Sequence, residues 1–230
     1  VFDEVLKPLG KRPSGVRIDS GDITYLSKAV RTMLNEAGYS DVKIVASNSL
    51  DEYIIRSILD NGACLDAFGV GERLITAKSE PVFGGVYKLV AVEDSKTGEI
   101  TPKIKISENP EKITNPAFKN IYRIYDEDSN KAIADLLTIS GEEIDFTKPL
   151  TLFNPVHTWK KKTLNNYYAK ELMVKIFDKG ELIYESPEVK DIKEFCKKEI
   201  DNLRPEVKKF ENPHPYYIDL SQNLWNLKQE

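Results

Sequence analysis

Arg17 and Asp19 stand two residues apart at the end of an apolar run, Gly15-Val16-Arg17-Ile18-Asp19, and Ser20, Gly21 and Asp22 follow directly. In an extended strand that spacing points both side chains to one face. A guanidinium placed there can grip a phosphate or carboxylate through two parallel hydrogen bonds. A carboxylate beside it can accept hydrogen bonds from sugar hydroxyls. The plain alternative is a structural ion pair closing the strand. Further along, Ser47, Asn48 and Ser49 offer small polar groups that suit a sugar or phosphate and equally suit a helix cap. Gly69-Val70-Gly71, with Arg73 close behind, lets backbone N–H groups approach an anion, although two glycines also make an ordinary tight turn. Taken together, three successive turns supply a cation, a sugar-binding carboxylate and an anion cradle, the outline of a site for a ribose phosphate.

The elements that must position these turns read as strand, turn and amphipathic helix in alternation, which implies a parallel sheet in an α/β fold. The first strand is 15–19, and the helix after it presents Ile23, Leu26, Val30, Met33, Leu34 and Ala37 on one face until Gly38 stops it. A second strand spans 42–46. Ser49 and Glu52 match a capping box opening a second helix, with Leu50, Ile54, Ile55, Ile58 and Leu59 on its inner face and Gly62 at its end. The third strand is 64–68, followed by a short helical stretch from Glu72 and an apolar run over 86–92. In such folds ligands collect where the strands end and the turns begin. After about Asp94 the texture changes to hairpins: 120–125 with 132–139 across an Asp126–Asn130 turn, then 172–177 with 182–184 across Asp178-Lys179-Gly180. A helix over 191–203 is stopped by Pro205.

Composition narrows the functional classes. With 33 Lys and Arg against 37 Asp and Glu in 230 residues, the net charge of −4 gives no broad positive field for nucleic acid or an anionic membrane. No apolar run approaches the ~20 residues of a membrane span. Cys64 and Cys196 stand far apart without the spacing of a disulfide framework or zinc site, so a reducing cytoplasm and no protein-held metal are expected. His157 and His214 are the two histidines and read as structural or surface residues; Lys160-Lys161-Lys162 reads as a solvated face. Val1 is not an initiator methionine, and Phe2 to Leu6 already resemble the middle of a folded element, so a truncated chain is expected.

Gly15 to Asp22 resembles the central signature of the nicotinate phosphoribosyltransferases, most like the bacterial, Firmicutes-type enzymes. Similar segments follow in the family's order: Lys43 to Asn48 with Leu50-Asp51-Glu52, Phe68 to Gly71 with Arg73-Leu74, Gly84 to Val90, His157 to Lys160, and Tyr216 to Ser221. The resemblance spans essentially the whole chain and likens it to the C-terminal half of such an enzyme. It implies part of an irregular (β/α) barrel of the type II phosphoribosyltransferase kind in 1–105, with an α+β extension carrying hairpins packed on it in 106–230. It further implies a reaction of nicotinate with phosphoribosyl pyrophosphate to nicotinate mononucleotide and pyrophosphate, driven by ATP with Mg²⁺, in an enzyme that forms homodimers. Arg17 would then lie near the pyridine and phosphoribosyl groups and Asp19 near the ribose hydroxyls. Ser47, Asn48, Gly69 and Gly71 would surround the 5′-phosphate, with Ser20, Gly21 and Arg73 contributing to the same site. The family's phosphorylatable histidine falls upstream of Gly15, so these residues alone are expected to be inactive. A relative taking nicotinamide, a quinolinate-type enzyme, and a non-catalytic phosphate-binding module are the alternatives.

Overall fold

A computed structural model describes every residue of the chain except Phe83, Pro110 and Glu111. The backbone divides into two compact units, Val1–Val86 and Tyr87–Glu230. The expected boundary lies between residues 105 and 106, while the backbone divides after Val86. The Val90 carbonyl accepts hydrogen bonds from the N–H groups of Lys103 and Ala117, both at 2.8 Å, which ties this stretch to the second unit.

The first unit is built on a parallel sheet of β1 (Gly15–Ile18), β2 (Lys43–Ala46) and β3 (Ala67–Phe68), in that order. Ile18 is level with Ala46, and Ala46 with Phe68, so all three strands end at one edge. Helix α1 (Ile23–Glu36) starts at Asp22, whose carboxylate accepts from the Tyr25 N–H. It ends with Gly38 in the left-handed region at φ +80°, where the Tyr39 N–H reaches the Leu34 carbonyl and the Gly38 N–H reaches that of Asn35. Helix α2 (Glu52–Asp60) stops in the same way at Gly62. Its cap corrects the expected Ser49/Glu52 box: Asp51 accepts from the Ile54 N–H at 2.8 Å, while Ser49 sits outside the helix at φ +50°.

Ile18, Ile23, Leu34, Val42, Ile44, Ala46, Leu50 and Ile58 form the core of this unit. Met33, Ala37 and Leu59, expected on the inner helix faces, are exposed. The inward position on α1 belongs to Ser27, fully buried, whose hydroxyl donates to the Thr24 carbonyl and accepts from the Cys64 N–H. That double bond makes a polar side chain acceptable where an apolar one would be expected. The third strand is shorter than expected because residues 64–66 do not join the β3 ladder; Asp66 instead accepts from the Ile44 N–H and pairs with Lys43. A four-residue helix, α3 (Glu72–Ile75), follows.

The second unit opens with a small hairpin, β4 (Ala91–Glu93) with β5 (Ile100–Pro102), so most of the apolar run over 86–92 is extended without pairing. Strands β6 (Lys119–Asp126) and β7 (Ala132–Ile139) form the expected hairpin. A further hairpin, β8 (Leu150–Phe153) with β9 (Lys161–Leu164), and the strand β10 (Tyr167–Glu171) follow. The expected pairing of 172–177 with 182–184 shrinks to β11 (Phe177–Asp178) and β12 (Glu181–Leu182), turned by Lys179 and Gly180 with positive φ. Helix α4 (Val189–Asn202) precedes β13 (Tyr217–Leu220) and α5 (Gln222–Gln229). The main sheet runs β10-β6-β7-β13, with β13 parallel to β7.

One face of that sheet buries Ile124, Ala134 and Leu136 against Leu152 and Leu164 of the β8–β9 hairpin, with Tyr167 at its edge. The opposite face carries a polar cluster. Arg123 grips Asp135 through two hydrogen bonds of 2.9 and 3.1 Å, donates to Glu199 of α4 at 3.1 Å, and lies over the ring of Tyr216.

Candidate functional site

The parallel register of the first unit brings the three chemically suggestive turns to one sheet edge, since β1, β2 and β3 end level with one another. There Arg17, Asp19 and Ser47 close a triangle. The Arg17 Nη2 group lies 2.8 Å from Asp19 Oδ1, Arg17 Nε donates to Ser47 Oγ at 2.8 Å, and Ser47 Oγ donates to Asp19 Oδ1 at 2.6 Å. The serine hydroxyl therefore fixes the cation and the carboxylate relative to each other. The Arg17 and Asp19 side chains remain 64% and 52% exposed, which leaves their outer faces open to a ligand. An ion pair this exposed contributes little to folding.

The neighbouring turn is strained. Asn48 and Ser49 both have positive φ, +100° and +50°, and two consecutive non-glycine residues in that region are uncommon. Such strain clusters where a backbone is held in place for a site. Gly69 adjoins the triangle: its N–H donates to the Ala46 carbonyl at 2.7 Å, and a Cβ added to it would stand 3.4 Å from the Ser47 Cβ. Gly71 lies two residues on, at the start of α3, with φ −114° and nothing within 4 Å of an added Cβ.

Ser20 and Gly21 form an exposed bend between β1 and α1, with Gly21 at φ +74°. Arg73 is engaged elsewhere. Its guanidinium pairs with Asp51, the same carboxylate that caps α2, and its Nε is buried without a partner. The Asp51 carboxyl is held below its ordinary value, first by the Ile54 N–H and then by Arg73. Sequence reading placed Arg73 near the cradle but gave no sign of this pairing, because the two residues are 22 positions apart.

The histidines fall outside this edge. His157 is exposed against the ring of Trp159, and its N–H donates to the Asn154 side chain. His214 packs edge-on against Tyr217 in the second unit. Among the described residues no group of three His, Cys, Asp or Glu side chains is placed to hold a metal ion. No helix among them is long and apolar enough to cross a membrane.

Residues 118–228 match the family model of the nicotinate phosphoribosyltransferase C-terminal domain. Nicotinate phosphoribosyltransferase of Bacillus subtilis (strain 168) is 42% identical over 228 residues, covering 98% of this chain and 46% of the relative. The Caenorhabditis elegans protein of the same name is 35% identical, covering 96% of this chain and 40% of the relative. The crystal structure of human nicotinic acid phosphoribosyltransferase superposes with a TM-score of 0.69 at 22% identity over 96% of this chain and 40% of its own. That of nicotinate-nucleotide pyrophosphorylase from Pyrococcus furiosus reaches 0.53 at 22% identity over 82% of this chain. The chain spans less than half the length of the relatives it matches. Along 98% of its length it is similar to nicotinate phosphoribosyltransferase, and residues 118–228 match the C-terminal domain of that family.

Proposed function

We propose that this chain is the C-terminal part of a nicotinate phosphoribosyltransferase, which joins nicotinate to phosphoribosyl pyrophosphate to give nicotinate mononucleotide and pyrophosphate. The carrying observation is the Arg17–Asp19–Ser47 triangle, set beside Gly69 at the level ends of three parallel strands. The three-stranded sheet is read as an arc of an irregular barrel. At its rim the outer N–H groups of Arg17 hold an anionic group of the substrate, and Asp19 accepts hydrogen bonds from the ribose hydroxyls. Asn48 and the Gly71 amide, with Ser47, surround the 5′-phosphate, and Gly69, whose N–H is taken by the Ala46 carbonyl, lets it come close by having no side chain, while Ser20 and Gly21 shape the first turn. Arg73 adds its charge from behind Asp51.

Bond exchange at the anomeric carbon passes through a cation-like sugar with pyrophosphate departing. Such a reaction is promoted by fixed, pre-oriented charges more than by proton transfer. Asp19 suits this task, because Ser47 and Arg17 hold its carboxylate still before the sugar arrives. ATP is the proposed co-substrate. Mg²⁺ would arrive on the phosphates and need only one or two carboxylates from protein. A homodimer in the cytoplasm completes the reading.

Calorimetry of the 230-residue chain with nicotinate mononucleotide is the direct test. Binding that Arg17→Ala or Asp19→Ala weakens by about tenfold or more, as the loss of a charge-assisted hydrogen bond implies, supports the assignment; binding indifferent to both substitutions removes it. The reaction itself fails if the full-length protein carrying this chain forms no mononucleotide from nicotinate, phosphoribosyl pyrophosphate and ATP.

A further inference from the structure

We infer that the cavity between the main sheet of the second unit and its β8–β9 hairpin is a binding site for a nucleoside monophosphate. Every lining residue belongs to Tyr87–Glu230, so the site shares no residue with the Arg17 edge. Its volume is about 280 Å³, close to the lower end of small-molecule sites, roughly 300–1,000 Å³.

The ladders decide which side chains enter it. Tyr217 is paired with Ala134 and Asp219 with Leu136, so both share the face on which the hairpin packs. Within the hairpin, Leu152 is paired with Lys162, which sets Lys162, and Lys160 two residues before it, on the side of Leu152 that faces the sheet. Ala132, Ala134 and Leu152 give an apolar floor, and Tyr217 stands beside it with His214.

Asp219 is the acceptor that this cavity offers to a ligand. It is 6% exposed, it lines the cavity, and among the described residues no side chain or backbone group pairs with its carboxylate. Burial without a partner raises its carboxyl to about 6. Its oxygens are not among the buried polar atoms left without a partner, so they open into the cavity, where water or a ligand donor can reach them. Around the same space stand the permanent cations Lys160, Lys161, Lys162 and Arg204, opposed by Glu206 and Asp219. Arg204 reaches Glu206 only at 4.0 Å, and no ion pair engages the three lysines among the described residues.

The occupant must therefore combine three properties: a compact anion with more than one charge for the lysines, a flat body for the apolar floor, and an N–H or O–H donor for Asp219. A phosphate monoester of a nucleoside has all three. Its phosphate meets Lys160, Lys162 and Arg204, its base lies over Ala134 and Leu152, and an amino or hydroxyl group donates to Asp219. A sugar phosphate shares the first and third properties but lacks the flat body.

The test is calorimetry of the 230-residue chain with AMP, ribose 5-phosphate and inorganic phosphate at low salt. One AMP per chain is expected, with the two truncated probes weaker, and Lys162→Ala and Asp219→Leu should each weaken AMP by about tenfold or more. Lys162 is exposed, so its substitution reports on binding even if the Asp219 variant misfolds. Arg17→Ala should leave AMP binding unchanged whatever becomes of nicotinate mononucleotide binding, which separates this site from the first. No AMP binding, binding insensitive to Lys162→Ala, or binding abolished by Arg17→Ala would each overturn the inference, the first leaving the cavity to water alone.

Discussion

At the scale of single residues, the chemistry of the first unit rests on contacts that sequence spacing suggested only in part. The pairing of Arg17 with Asp19 follows from strand alternation and was legible. The role of Ser47 as their bridge was not, because a serine before a helix reads equally well as a cap, and only the parallel register brings it within 2.6 Å of Asp19. The two glycines at residues 21 and 71 have different reasons for being glycine. Gly21 has φ +74°, and a Cβ there would stand 3.0 Å from Leu26 Cδ1, whereas Gly71 has an ordinary negative φ and open space. Gly21→Ala should therefore destabilise the fold by about 1 kcal/mol in urea titrations. Gly71→Ala should cost less stability than this, because nothing stands within 4 Å of its added Cβ. An equal loss of stability in both would show that this account of the turns is wrong.

At the scale of elements, periodicity located the strands and helices of the first unit but misplaced some of their faces. Met33 reads as inward because it is apolar, yet it is exposed, while Ser27 is buried because it satisfies both its hydroxyl hydrogen and its oxygen within the core. In the second unit the β6–β7 hairpin was legible from its turn and alternation. Strands β10 and β13 were not, because short strands are recognised through partners far away in sequence, and β13 pairs with a strand some eighty residues earlier; β8 and β9 meet across residues 154–160 rather than a two-residue turn. The same long reach produces the cluster on the outer sheet face. Arg123 of β6 joins Asp135 of β7, Glu199 of α4 and Tyr216 just before β13. Tyr216 has its hydroxyl pushed up by burial and by donation to Asp135, so it stays a neutral donor. Arg123→Ala leaves a nearly buried Asp135 carboxylate without its cation and should cost about 3 kcal/mol in equilibrium unfolding. Arg123→Met combined with Asp135→Leu removes both charges and should cost clearly less. A double variant as unstable as the single one would mean that packing, not the unpaired charge, dominates.

At the scale of the whole molecule, the two units should respond differently to mild acid, because the second holds one carboxyl that folding raises, whereas the shifted carboxyls of the first are all lowered. In Val1–Val86 the shifted carboxyls are lowered: Asp41 to about 2 by Arg12, Asp51 by the Ile54 N–H, and Asp66 by the Ile44 N–H and then Lys43. A carboxyl lowered by folding contributes stability that is present above its unfolded value and disappears as pH falls through the folded one. This unit should thus weaken steadily below about pH 4. Tyr87–Glu230 also holds lowered carboxyls, at Asp94, Asp126 and Asp145, but adds Asp219, raised to about 6. Here the sign reverses. Between about pH 4 and pH 6 the folded state keeps a proton on Asp219 that the unfolded chain has released, so stability falls as pH rises through this window. By neutral pH the ionised, nearly buried Asp219 carboxylate costs at most roughly 3 kcal/mol. Scanning calorimetry across pH 4 to 8, roughly the span between these values, should resolve a transition of the second unit whose midpoint peaks in mild acid, while that of the first unit does not. Asp219→Asn, which cannot ionise, should flatten the peak and raise the midpoint at neutral pH. A midpoint that still climbs from acid to neutral pH in the unsubstituted chain would show that the Asp219 carboxylate already has a partner, and the cavity beside it would lose its strongest reason to bind a ligand.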